Sequence, residues 1–190
     1  MGVGELFRQP GNFRAMSKTQ TLTGSHLIKL AGEGTIVLGL TLFLPFMVHL
    51  LPSWDDSPLG AHLLPIFYAP LGALILNRMG IALVASVLAP WVNHFLTGQP
   101  AVPMAVLLCF QLVLFLVTAA LLMKRAFPSF LLGPGAYVLA LGFSCLLGSL
   151  LQAIGRAFPL SLGQFAPSLW NALPGLLILA FIGWWFSRNR

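Results

Sequence analysis

Few side chains in this chain are equipped for bond-making chemistry, and they do not assemble into a known catalytic set. Ser149, in Gly148-Ser149, would need a histidine base within reach. The four histidines, His26, His49, His62 and His94, all precede it, and none falls in the last three apolar runs. A packing seam through Ser144 and Gly148 is the plainer reading. Glu33 is the only acid inside an apolar run, so paired-carboxylate catalysis is excluded. No H-E-x-x-H and no Gly-rich phosphate loop with a lysine is present, and no metal or cofactor is expected. What remains is a polar cluster, Asn93, His94 and Gln99, in Leu88-Ala89-Pro90-Trp91-Val92-Asn93-His94-Phe95-Leu96-Thr97-Gly98-Gln99-Pro100-Ala101-Val102-Pro103. It is either the end of a helix leaving a bilayer or part of a binding site. The chemistry is that of a transport or binding protein, not of an enzyme.

Other polar residues have two readings each. Lys29 and Glu33, four apart, share a helix face and read as a boundary ion pair or an ion relay. Ala31, Thr35 and Gly39 recur every four residues as a stripe of small side chains, for internal packing or for docking a membrane partner. Arg156, with Gln152 one turn earlier, suits a ligand carboxylate or phosphate, or an anchor reaching to headgroups. Trp170 fits an aromatic belt, whereas the Asn171 amide inside an apolar run needs partners.

The elements that must position these residues are membrane helices. Of 190 residues, 58% are hydrophobic and 7% charged, with mean hydropathy +0.91, against about 25% charged in soluble domains. The apolar runs are Leu27–Leu51, Leu63–Leu76, Met79–Thr97, Met104–Met123, Leu131–Gly155 and Pro167–Phe186. The second is short for a span, which takes about 20 residues. The pattern therefore predicts an all-α integral membrane protein with six transmembrane helices over residues 27–187. Residues 1–26 read as a flexible cytoplasmic tail without a signal peptide, and 188–190 as a basic tail.

Charge sets the orientation. With the N-terminus inside, nine basic residues are cytoplasmic: Arg8, Arg14, Lys18, Lys29, Arg78, Lys124, Arg125, Arg188 and Arg190. Arg156 alone is outside, so both termini are cytoplasmic. Three loops then face outward, about 52–62, 98–103 and 156–166, and they hold the more varied polar residues. The net charge of +6 thus reports orientation, and no basic face for nucleic acid is expected. Cys109 and Cys145 read as buried packing thiols.

Residues 62–103 carry a resemblance. His62-Leu-Leu-Pro-Ile-Phe-Tyr-Ala-Pro-Leu-Gly-Ala, then Gly80 through Ala89-Pro90-Trp-Val-Asn93-His94 to Gly98-Gln-Pro100 and Pro103, is similar to the substrate-binding S components of energy-coupling-factor transporters. The resemblance implies six helices in a bacterial cytoplasmic membrane and uptake of a vitamin or related micronutrient from outside. It also implies partners: a transmembrane coupling subunit, driven by two cytosolic ATPases, that docks on the first helices through small residues. The matching stripe here is Ala31, Thr35 and Gly39, with Thr35 where alanine is usual. The pocket would open outward, gated by Trp54–His62 and Gly98–Pro103. Substrate contacts would come from Asn93, His94, Gln99, Gln111, Arg156, Trp170, Asn171 and His62. Arg156 with aromatics would suit a heterocyclic acid, and His62 or His94 an axial contact to a corrinoid. The rival is a non-transporting scaffold, similar to the rod-shape-determining membrane subunit of cell-wall complexes.

Overall fold

A polypeptide in hydrocarbon must satisfy its backbone internally, and this chain does so with helices. The computed structural model describes residues 24–50, 59–125, 127–156 and 158–188, and shows no strand among them. Eight helices follow in order: α1 Gly24–His49, α2 Leu59–Leu63, α3 Tyr68–Ile75, α4 Met79–Thr97, α5 Val102–Lys124, α6 Ser129–Ala153, α7 Phe165–Asn171 and α8 Leu173–Arg188. Short 3-10 turns, Pro65–Phe67 and Leu162–Gln164, lead into α3 and α7. The proposed Trp54 end of the first gate and the tail through residue 23 lie outside the described residues.

Among the described residues, four helices are long and apolar enough to cross a bilayer, namely α1, α4, α5 and α6. A fifth is α7 with α8, bent by 66°. The expected unbroken helix from Pro167 is therefore two. Pro174 lies in the first turn of α8, where its missing N–H costs nothing; inside a continuous helix it would remove a bond.

The second expected run departs further. It is not one continuous helix but α2, a break at Leu64, the 3-10 turn and α3. Leu64 takes the left-handed conformation (φ 54°, ψ 39°), rare for a bulky side chain. Pro65 accounts for the break, since its ring disfavours the α conformation in the residue before it. From Pro65 to Ile75 the apolar helix has length for only about 16 Å, half a bilayer core.

That half-length element is the centre of the molecule. Helices α1, α4, α5, α6 and α8 pack in sequence around it, and α3 touches α1, α4, α5 and α8. Pro70 through Ile75 are all buried. Leu71, Leu112, Phe115, Leu116, Leu141 and Leu179 form the fully enclosed core. Small residues allow the closest approaches. A Cβ on Gly175 would lie 2.7 Å from the carbonyl of Leu63 and 2.8 Å from that of His62, so glycine lets α8 seat against the end of α2.

Helix ends are closed by backbone conformation. Asn77 (φ 61°) ends α3, with its N–H on Leu74 O and the Arg78 N–H on Ala73 O. Gly155 ends α6 in the same way, with bonds from Gly155 to Gln152 and Arg156 to Leu151. The α3 cap delivers Arg78 to Glu33 of α1. Nη2 donates to Oε1 at 3.0 Å, and Nε lies 2.8 Å from Oε2 off the hydrogen-bonding line. Glu33 thus pairs across helices with Arg78, not along its own helix with Lys29. Both cysteines are free, Cys145 buried and Cys109 half-buried with its thiol on Val87 O.

Candidate ligand cavity at one end of the bundle

A central helix that spans half the bundle leaves the other half to be filled. At the end where α3 begins, the space is a cavity of about 730 Å³. Ligand pockets run from roughly 300 to 1,000 Å³. Its floor is the broken segment itself, Leu64, Pro65, Ile66 and Phe67. Phe67 sets its ring edge-on to Phe115 (5.0 Å between centroids) and to Tyr137 (5.3 Å), which fixes that floor. Pro45 and Phe46 of α1, Met104, Leu107 and Leu108 of α5, Leu141 of α6 and Leu160 complete an apolar wall.

Polar groups enter this wall from four helices and one turn. Asn93 and Thr97 come from the last turns of α4, Gln99 from the turn beyond, Gln111 from α5, Tyr137 from α6, and Ser168 and Asn171 from α7. Gln111 is only 6% exposed and lies beside the Tyr137 hydroxyl. A carboxamide buried among leucines is costly without partners, so its place on this wall is informative. The side-chain amides of Asn93, Gln99 and Asn171 make no hydrogen bond to another described residue. No charged side chain lines the cavity among the described residues.

The rim is tied to itself. Gly98 (φ 72°) caps α4 with its N–H on His94 O, and the chain turns through a cis Gln99–Pro100 bond. His94 Nδ1 donates to Pro100 O at 2.9 Å. The Thr97 hydroxyl lies 2.8 Å from Asn93 O and 3.0 Å from Gln99 O, and accepts the Gln99 N–H at 3.2 Å. The spacing that made residues 88–103 stand out is in part the wiring of this turn.

Of the eight substrate contacts expected from sequence, the structure brings together four on the cavity wall: Asn93, Gln99, Gln111 and Asn171. The other four are placed elsewhere. His94 is turned into the rim through Pro100, and its ring lies 5.6 Å from that of Phe95. His62 donates from Nδ1 to the backbone carbonyl of Asn171 at 2.9 Å, joining α2 to α7. Arg156 is exposed beyond the α6 cap, and Trp170 is 74% exposed. Neither imidazole is among the lining residues, although the buried His62 Nε2 makes no hydrogen bond to a described residue. Sequence reasoning passed over Tyr137, Ser168 and Thr97. The signal for Tyr137 was a phenol at the middle of an apolar run, whose hydroxyl needs a partner.

The stripe Ala31, Thr35 and Gly39 faces away from the bundle: all three are exposed, and a Cβ on Gly39 would meet nothing within 4 Å. The Thr35 hydroxyl donates to Ala31 O at 2.9 Å, which leaves the face apolar in effect. No protein-family model, curated protein or solved structure matches this chain.

Proposed function

We propose that this chain is a membrane-embedded substrate-binding subunit, of the S-component type of energy-coupling-factor transporters, that captures a vitamin or related small micronutrient. The observation that carries this reading is the 730 Å³ cavity, apolar in body and set with amides and hydroxyls at one end of a helical bundle. In this reading the chain crosses a bacterial cytoplasmic membrane six times with both termini inside, and the cavity opens outward. The subunit breaks no bond. It binds, occludes its ligand beneath the 98–103 turn, and is reoriented by a transmembrane coupling subunit driven by cytosolic ATPases. The exposed face of Ala31, Thr35 and Gly39 is where that subunit would dock.

The test is direct. Protein purified in mild detergent is examined by absorbance and mass spectrometry for a copurified small molecule, then titrated with a vitamin panel by calorimetry. A stoichiometric ligand is the expected result; no copurified molecule and no binding across the panel would sink the reading. A non-transporting scaffold is the second reading, and the observation in its favour is α1. Few residues of α1 are fully buried, and its outer face, with Ile28, Ile36 and Phe43 exposed, is open to a protein partner. A scaffold would retain its partner with the cavity filled by bulky substitutions, whereas a transporter would lose uptake.

A further inference from the structure

The cavity wall also constrains its ligand, on the reading that it is a binding site. We infer that it selects an uncharged molecule with an apolar, ring-sized body and an amide-type edge that both donates and accepts hydrogen bonds. Four carboxamides face the space, Asn93, Gln99, Gln111 and Asn171, and each presents an N–H donor and a carbonyl acceptor. Hydroxyls from Tyr137 and Ser168 add groups that serve either way.

What the wall lacks is as informative as what it holds. A carboxylate or ammonium taken into an apolar enclosure needs a counter-charge. Among the described residues the wall supplies none. Arg156, the cation that composition alone would assign to an acid, is exposed in the turn after α6 and is not on the wall. His62 and His94 are not among the lining residues, and each commits Nδ1 to a backbone carbonyl, of Asn171 and Pro100. The Arg78–Glu33 ion pair lies beyond the opposite end of α3. Against this, amides are matched best by an edge of their own kind, a primary carboxamide or a lactam, because each unmatched buried donor or acceptor would cost binding.

Three probes with one aromatic body separate the cases: 2-naphthamide, 2-naphthoate and 2-naphthylmethylamine, neutral, anionic and cationic at pH 7. Each is titrated by calorimetry into the full chain in nanodiscs, and into the Gln111→Leu variant to remove partition into lipid from the signal. The variant is checked by its gel-filtration profile, and Asn93→Ala serves as the second variant should it misfold. The expected result is saturable binding of the naphthamide, about tenfold tighter than either charged probe and lost by about tenfold in the variant. Equal or tighter binding of the naphthoate or the amine overturns the inference while leaving the cavity a binding site. Saturable binding of none overturns it as well. The S-component reading then falls with it only if the purified protein also carries no small molecule.

Discussion

Arg156 and Asn93 make the sharpest contrast at the scale of single residues. Sequence reasoning weighed both as ligand contacts, one for its charge and one for its place before the Gly98 turn. The structure puts the Asn93 side chain on the cavity wall and leaves Arg156 exposed in the turn that follows the α6 cap. Asn93→Ala is therefore expected to weaken ligand binding by about tenfold, roughly 1.4 kcal/mol. Arg156→Ala should stay within about twofold. Calorimetry on both variants with the copurified ligand decides it, and the reverse ranking would move the site to the α6–α7 turn. Asn171 was legible in the sequence because an amide in an apolar run has to be accounted for, and Gln111 entered only through the family resemblance. Tyr137 carried only the weak signal of a phenol in an apolar run, since aromatic residues are ordinary in membrane helices, and its packing against Phe67 and Gln111 is what places it.

Among the elements, four helices were legible within a few residues, α4 over its whole length, because hydropathy reads length and little else. The break at Leu64 was not. A 14-residue run carries the same hydropathy whether it crosses or stops halfway, and the sign lay in Pro65, which constrains the residue before it. The break matters because it makes the cavity: α2 turns aside to pack on α8, and α3 fills only the other half of the centre. Gly175 is the hinge of that arrangement, with backbone of His62 and Leu63 where a methyl group would go. Gly175→Ala should thus destabilise by about 1–3 kcal/mol and weaken binding, since the wall at Gly60 and Leu64 must shift. Gly39→Ala, on an open face of α1, should instead gain about 0.5–1 kcal/mol from helix propensity. Thermal unfolding of the two variants in one detergent compares them directly. Similar midpoints would mean that α2 is not held against α8 in the way described.

For the whole molecule, the question is how many times the chain crosses. Counting helices by length gives five with the bent pair, which would put the termini on opposite sides. The proposed function needs six. Helix α1 carries Glu33 to the Arg78 end and Pro45 and Phe46 to the cavity, and α4 starts beside Arg78 and ends at Asn93 and Thr97 on the cavity. Both helices run toward the same end, so the segment between them must return across the bundle, and α3 with its 3-10 turn is that return. On the proposed reading the half-length helix counts as a crossing, its upper half replaced by α2 and the cavity floor. In the proposed orientation, with nine basic residues inside against one outside, the cavity end faces outward. Green fluorescent protein, which matures in the cytoplasm and not after export through the general secretory route, should fluoresce when fused to either end of the chain. Alkaline phosphatase, active only outside, should be active when fused after Gly98 and inactive after Arg125. Fluorescence at one terminus alone would return the count to five; a dark pair of termini with active phosphatase after Arg125 would turn the molecule over and point its cavity at the cytoplasm, where an uptake subunit could not first meet its ligand.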